Sequence, residues 1–161
     1  MSDRQTLDRI DRAILDLLQH DGTLELGVIA ERVGLSKAPC WRRIRRLQEG
    51  GVILRTVTLL DAKRLNVGTT VFVTVKTANH SAEWFERFLR ALNDIPEVME
   101  IYRMSGDVDY MLRVVVPDIQ GYGAVYSKLI KSCEFLDISA SFALESIRHT
   151  TALPLNHLPQ I

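Results

Sequence analysis

The stretch Val33–Gly51, VGLSKAPCWRRIRRLQEGG, gathers positive charge in a chain that carries no net charge. It contains five basic residues and one acidic residue, whereas the whole 161-residue chain has 20 of each sign. Such clustering indicates a polyanionic partner for this segment. Gly34 supplies the left-handed residue that commonly follows a helix, and Ser36 is a preferred N-cap. The stretch therefore predicts a tight turn between two helices, the second of them basic.

The predicted basic helix has an apolar side and a basic side. On a helical wheel, Cys40, Ile44 and Leu47 share the side that packs on the preceding helices. A helix of this kind fits the major groove of DNA, where arginine reads guanine. Its flanking arginines are expected to meet phosphates, and its tryptophan to pack or to contact the DNA backbone. The predicted DNA-binding residues are Ser36, Lys37, Ala38, Trp41, Arg42, Arg43, Arg45 and Arg46.

The segments around the basic helix complete a winged helix-turn-helix over residues 1–60. The spacing of the apolar residues predicts a first helix that ends near Asp21, and a short second helix over 26–33. We expect the acidic residues between those apolar positions, Asp8, Asp11 and Asp16, to stay in solvent. The segment 52–61, VILRTVTLLD, is rich in β-formers and predicts the wing.

The rest of the chain predicts a sheet domain over 69–161, joined to the first by a linker over 61–68. Alternating valines indicate a strand over 69–78, and Ser81 is suited to cap a helix that reaches Asn93. Two strands over 98–104 and 110–116, a helix capped by Asp118 and a last strand over 138–148 follow. This β-α-β-β-α-β order is ferredoxin-like, so the predicted class is α+β. Its helix-free face would be apolar, which predicts that a second copy covers it.

Other features narrow the function. No apolar run reaches the length of a membrane span, and the charged N-terminus is not a secretory signal, so we expect a cytoplasmic protein without a membrane partner. The cysteines and histidines have no metal-ligand spacing, and no cofactor or nucleophile motif is present. Asp107 and Asp109 form an acid pair without a base or nucleophile, which argues against an enzyme. Two functions stay open, a sequence-specific regulator and an architectural protein that wraps double-stranded DNA.

Three motifs, LDRIDRAILDLLQHDG, IAERVGLSKAPCWRRIRRLQEGGVI and IPEVMEIYRMSGDVDYMLRV, resemble the Lrp/AsnC family of transcriptional regulators, the group of the leucine-responsive regulatory protein. The resemblance covers nearly the whole chain. It implies an N-terminal winged helix-turn-helix that binds an operator, and a C-terminal domain that regulates amino-acid metabolism. It also implies dimers that assemble further, often to octamers, nucleoid association, and a small amino-acid effector.

The loop between the two central strands has two interpretations from the residues alone. Gly106 permits close approach of a ligand carboxylate and the aspartates suit an ammonium group, but glycine and aspartate are also ordinary turn residues. The resemblance implies an effector site in this loop and on the last strand. APCWRR, HSAEWFERF and RMSGDVDY resemble a cysteine-responsive branch, which implies cysteine or another small amino acid. The implied effector residues are Met104, Ser105, Gly106, Asp107, Asp109, Tyr110, Ser139 and Ser141.

Overall fold

The computed structural model describes residues 7–157 and contains five α-helices, four β-strands and one short 3-10 helix in that range. No helix in this range is long and apolar enough to cross a membrane. By its internal contacts the chain forms two compact units. Of the described residues, the first unit comprises 7–59 and 148–157, and the second unit is Leu60–Ile147. The elements are α1 (Arg9–His20), α2 (Leu26–Arg32), α3 (Lys37–Glu49), β1 (Thr69–Lys76), α4 (Ala82–Asn93), β2 (Val98–Arg103), β3 (Tyr110–Val116), α5 (Ile119–Ser132), β4 (Asp137–Phe142) and the 3-10 helix Leu155–His157.

The turn between α2 and α3 has the geometry that the sequence predicts. Gly34 has a φ of 70°, a conformation that residues with a Cβ rarely adopt. The Leu35 N–H donates to the Ala30 carbonyl at 2.8 Å, and the Gly34 N–H donates to the Glu31 carbonyl at 3.2 Å. These two bonds form a Schellman motif, which ends α2 and turns the chain into α3.

Ser36 occupies the N-cap position of α3, but its side chain makes no capping hydrogen bond there. A capping oxygen accepts from the N–H of the second or third helical residue. The third residue here is Pro39, which has no N–H. Ser36 is therefore an N-cap by its backbone conformation only. It is exposed at the start of the basic helix.

The predicted β-rich wing forms no strand in the described part of the chain. The Val52 and Ile53 N–H groups both donate to the Leu47 carbonyl, at 2.9 and 3.0 Å, and so cap the end of α3 after Gly51, whose φ is 71°. Residues 54–60 are exposed and belong to no helix or strand. High β-propensity does not make a strand where the chain offers no neighbouring strand to pair with.

The second unit is a four-stranded antiparallel sheet in the order β2-β3-β1-β4, covered on one face by α4 and α5. The ferredoxin-like prediction is confirmed. Alternate residues of β1 and β3 point into the core under the helices, as Val73 and Leu112 do from opposite positions. The other face carries Phe72, 39% exposed, and Tyr102, 52% exposed. The ion pair of Glu100 and Arg113 closes at 2.8 Å between the Arg113 Nε and Glu100 Oε1.

The last strand is shorter than the predicted 138–148. Phe142 pairs with Val71, and the Ala143 N–H then donates to the Thr70 carbonyl at 2.9 Å. Because β1 begins at Thr69, β4 has no partner beyond this point and ends at Phe142. Leu144 follows it and is fully exposed.

The chain beyond Ile147 belongs by its contacts to the first unit, although the predicted boundary assigned it to the sheet domain. The Gln19 side chain explains this placement. Its Oε1 accepts from the Leu153 N–H at 2.9 Å and its Nε2 donates to the Leu153 carbonyl at 3.2 Å. This paired contact fastens the segment to α1.

Candidate nucleic-acid interface and effector loop

The outward face of α3 presents two arginines to solvent. Arg42 is exposed, and the Arg45 side chain is 55% exposed. Arg45 lies 3.6 Å from Glu49 one turn on, and such an exposed pair holds a side chain only weakly. Lys37 and Ala38 are exposed at the N-terminus of the same helix. This face therefore presents exposed cations beside a small residue, an arrangement suited to a helix that enters a DNA groove.

The two flanking arginines of α3 are bound within the protein. The Arg43 Nη1 lies 2.6 Å from the Asp8 Oδ2 and 2.9 Å from the Asp11 Oδ1. The Arg46 Nη2 bonds to the other Asp11 oxygen. We call these four residues the acid–arginine clamp. It fastens α3 to the N-terminus of α1, so both arginines have a structural role, and their contact with DNA phosphates stays a prediction.

Asp11 corrects the expectation that the acidic residues of the first helix stay in solvent. Its side chain is fully buried. Asp11 lies four residues after Leu7 and three before Ile14, which places it within the apolar stripe that packs on α3. Asp8 is the N-cap of α1 and accepts from the Asp11 N–H at 2.8 Å in a reciprocal capping box. An aspartate at a position where the helical spacing calls for an apolar residue was the feature of the sequence that could have predicted the clamp.

Two members of the clamp have shifted pKa values. The hydrogen bond from the Asp11 backbone N–H is the main reason that the pKa of Asp8 lies below its ordinary value; burial opposes this effect, and the Arg43 guanidinium adds to it. Hydrogen bonds to Asp8 and Asp11 raise the pKa of Arg43. Cys40 lies in the core beside them, fully buried as predicted, and burial raises the pKa of its thiol.

An open concavity of about 500 Å³ lies at the N-terminal end of α3. Its wall includes Leu26 from α2 and Ala38 from α3. The indole of Trp41, which is 53% exposed, forms another part of the wall. Lys37 and Arg42 complete the lining. An apolar surface flanked by cations thus adjoins the predicted DNA-reading residues.

The loop between β2 and β3 is closed by backbone hydrogen bonds. The Met104 N–H donates to the Asp109 carbonyl at 2.8 Å, and the Asp109 N–H donates to the Val75 carbonyl at 3.0 Å. Gly106 has a φ of 110°, which a residue with a Cβ rarely adopts. Residues 104–107 are exposed, so the structure brings these predicted effector residues together on one surface loop.

The two aspartates of this loop have different surroundings. Asp107 is exposed. The Asp109 Oδ2 accepts from the Thr77 N–H at 2.8 Å, and its Oδ1 lies 4.0 Å from the His80 Nδ1. Asp109 therefore ties the loop to the end of β1. Thr77 and His80 are neighbours of the loop that the sequence pattern does not reveal, because only the strand pairing brings them there.

The remaining predicted effector residues lie on opposite faces of the sheet. The Tyr110 ring is buried in the core, 5.1 Å from the Phe88 ring and 5.9 Å from the Trp84 ring. Ser139 and Ser141 are exposed on β4, opposite Thr74 and Phe72. The Tyr110 ring and the two serines therefore do not converge within the described chain, and their effector roles stay predictions. No cluster of three or more potential metal ligands occurs in residues 7–157.

Comparison with known proteins identifies both units. Residues 7–53 match the model of a winged helix-turn-helix DNA-binding domain, and residues 70–153 match the Lrp/AsnC ligand-binding domain. The glutamate uptake regulatory protein of Zymomonas mobilis is 47% identical over 92% of this chain and 91% of its own.

Two solved structures share the fold along their whole length. An AsnC family transcriptional regulator from Agrobacterium tumefaciens is 53% identical, with a TM-score of 0.92 over 95% of this chain and all of its own. A transcriptional regulator from Neisseria meningitidis, solved as its L-Met complex, is 34% identical with a TM-score of 0.90 over 96% of this chain and all of its own. The chain is therefore a member of the Lrp/AsnC family of transcriptional regulators, with a winged helix-turn-helix DNA-binding domain and an amino-acid ligand-binding domain.

Proposed function

We propose that the exposed face of α3 reads an operator sequence, with Arg42 and Arg45 as base-reading residues and Ser36 and Lys37 near the DNA backbone. The main observation behind this proposal is that the four arginines of α3 fall into two pairs with different surroundings. Arg43 and Arg46 bind the acidic residues of α1, whereas Arg42 and Arg45 extend into solvent. Arginines free of a strong internal partner retain their donors for guanine O6 and N7.

The test is DNA binding by Arg42→Ala and Arg45→Ala on sites selected from random duplexes, measured over a range of salt concentrations. Each variant is expected to relax preference at particular bases, by about 1–3 kcal/mol for a lost bidentate contact. Arg87→Ala is the matched control, since Arg87 is 52% exposed and forms a comparable pair, 3.5 Å from Glu83, on α4. Wild-type affinity and preference in both α3 variants would contradict the assignment.

The same sites separate regulation from DNA wrapping. A sequence-specific regulator protects a bounded, phased site in a footprint. An architectural protein protects DNA uniformly, with little difference between the selected site and an unrelated duplex. Bounded protection supports the regulator, and uniform protection supports the architectural function instead.

We further propose that the effector is a small amino acid, with sulfur-containing amino acids as the first candidates, and that Asp107 contacts its ammonium group. Asp107 is exposed, whereas Asp109 already accepts the Thr77 N–H. The L-Met complex of the Neisseria relative supports this class of ligand. We propose no catalytic step. A regulator that binds DNA and responds to a metabolite would act in the cytoplasm in association with the nucleoid, and we propose this location.

A thermal-shift screen of the twenty amino acids tests this proposal. Stabilisation by a bound ligand grows with its concentration over Kd, reaching about 2.7 kcal/mol at a hundredfold excess. Asp107→Asn is expected to abolish the shift without changing the melting temperature of the free protein. Asp109→Ala is the comparison, because it removes the acceptor of the Thr77 N–H and should lower that melting temperature. The absence of a shift with all twenty would contradict amino-acid sensing.

Self-association through the helix-free face of the sheet completes the proposal. Phe72 and Tyr102 expose aromatic surface there, and an isologous dimer would bury it in both copies. A two-fold dimer would also place two α3 helices on successive turns of an operator. Sedimentation of Phe72→Lys tests this: dissociation to monomer supports the interface, and an unchanged dimer or octamer contradicts it.

A further inference from the structure

Trp41 has no role in the core of the first unit. That core is built from Ile14, Ile29, Ala30, Cys40 and Leu47, and Trp41 is neither among them nor among the residues that pack against them. Just over half of its surface is exposed, on the helix proposed to read DNA. The interpretation of Trp41 as a packing residue therefore does not account for its position.

The surroundings of Trp41 combine apolar walls with positive charge. Leu26 and Ala38 line the same concavity as Trp41, and Lys37 and Arg42 line it as well. The Arg45 guanidinium lies 5.7 Å from the centre of the Trp41 ring, within the range of a cation–π contact. A ligand that fits the concavity would place a small apolar group against its apolar wall. It would also carry negative charge opposite Lys37, Arg42 and Arg45, and this charge complementarity favours nucleic acid over a protein surface.

Only one group on the edges of DNA base pairs matches that description. In the major groove thymine presents its 5-methyl group, while the other bases present hydrogen-bond donors and acceptors. The small side chain of Ala38 leaves room for a base edge to approach the indole. Apolar side chains read thymine by contact with this methyl.

We propose that the concavity formed by Leu26, Ala38 and Trp41 receives the 5-methyl group of a thymine, which makes Trp41 a specificity-determining residue beside Arg42 and Arg45. The inference rests on the proposed reading of DNA by α3 and adds the base that its apolar part recognises. It also replaces a packing or backbone-contacting role for Trp41 with direct base reading.

The experiment compares thymine with deoxyuridine, which lacks only the 5-methyl group. Random duplexes are selected on the full-length wild-type protein, and each thymine of the enriched site is then replaced singly by deoxyuridine. At one or more positions per half-site, the replacement is expected to weaken binding about fourfold, the factor for one buried CH₂-sized group. In Trp41→Ala the same replacement should have no effect, while Trp41→Leu should retain part of the discrimination.

The controls separate this inference from DNA binding itself. Tyr126→Ala truncates an aromatic side chain that is 39% exposed on α5, and it should keep the wild-type ratio of thymine to deoxyuridine affinity. Circular dichroism confirms that each variant is folded. Equal affinity for thymine and deoxyuridine throughout the site, or unchanged discrimination in Trp41→Ala, would overturn the inference while leaving DNA reading intact. Loss of self-association in Trp41→Ala would overturn it in favour of a protein interface, and failure of the wild type to enrich any duplex would overturn the reading of DNA as well.

Discussion

The two tryptophans of the chain show how differently its two units use large apolar side chains. Trp84 is 3% exposed in the second unit, with its ring 5.0 Å from that of Phe88 and its indole N–H donating to the Glu134 carbonyl at 3.1 Å. Trp41 is 53% exposed on α3 of the first unit. One indole stabilises the unit that contains it, and the other leaves its surface available to a partner.

The hydrophobic cores of the two units also differ in size. Among residues 7–157, fifteen buried residues, several of them aromatic, form the core of the second unit, whereas the buried core of the first unit has five members. A small core buries less apolar surface and leaves the first unit more dependent on other contacts. The acid–arginine clamp supplies such a contact, and it draws its arginines from the helix that faces DNA. The first unit thus shares one helix between stability and recognition.

The largest expected effect tests the apolar core of the second unit. Phe88 is fully buried, with its ring centre 5.1 Å from that of Tyr110 and 5.9 Å from that of Phe135. Phe88→Ala should lower the free energy of unfolding of this unit by about 3–5 kcal/mol, because it leaves a cavity among rigid rings. Urea unfolding followed by Trp84 fluorescence, in a Trp41→Phe background at fixed protein concentration, measures the change.

Phe88→Leu is the matched control for this core. It retains most of the apolar volume, so the loss should fall to about 1 kcal/mol. A loss below about 1 kcal/mol in Phe88→Ala would show that the second unit does not depend on its aromatic core, and the contrast between the units would fail.

The next effect tests the clamp of the first unit. Asp11→Ala removes a fully buried carboxylate that binds both Arg43 and Arg46. The free energy of unfolding should fall by about 2–3 kcal/mol, because Arg46 loses its acidic partner and Arg43 keeps only Asp8, while both retain partial access to water. Trp41 fluorescence in a Trp84→Phe background reports this unit. Salt-dependent affinity for unrelated DNA should rise, since Arg46 is released on α3.

Asp16→Ala is the control from the same helix. The Asp16 side chain is 61% exposed, and the His20 Nδ1 lies 3.7 Å from its Oδ1. Its removal should change stability by less than about 0.5 kcal/mol. Equal effects of Asp11→Ala and Asp16→Ala would mean that the clamp contributes no more than a surface pair.

The sequence contained enough to predict both folds but not every contact between elements. Gly34 and the apolar spacing of the basic helix are local signals, so the turn and the direction of α3 follow from them directly. Arg43 and Arg46 could be placed on the helix but not paired, because their acidic partners lie more than thirty residues earlier in the chain. Val52–Leu60 carried a strong β signal, yet pairing is a property of two segments and this one has no partner within the described chain.

The effector loop shows the same limit. Its glycine and aspartates predicted a turn suited to a ligand, and the structure places residues 104–107 together on the surface. The division of labour between Asp107 and Asp109 depends on Thr77, which only the pairing of β1 with β3 brings within 2.8 Å. Tyr110 could be assigned to the loop from its position, whereas its ring enters the core because strand residues alternate between faces.

The smallest expected effect separates the charge of Asp8 from its capping role. Asp8→Asn keeps a good N-cap residue but removes the negative charge beside Arg43. The folded protein holds the pKa of Asp8 below the ordinary value of 3.8, so ionisation of this carboxyl favours folding. That contribution is fully present above pH 3.8 and is lost as the pH falls through the lower pKa of the folded protein. Because the Asp8 side chain is 46% exposed, solvent screens its charge, and we expect the free energies of unfolding of wild type and variant to differ by less than about 1 kcal/mol at neutral pH.

Urea unfolding at a series of pH values, followed by Trp41 fluorescence in the Trp84→Phe background, should show this difference shrinking towards zero in acid. A difference that stays constant down to about pH 2 would show that it does not come from the charge of Asp8, and the ionic part of the clamp would then rest on Asp11 alone.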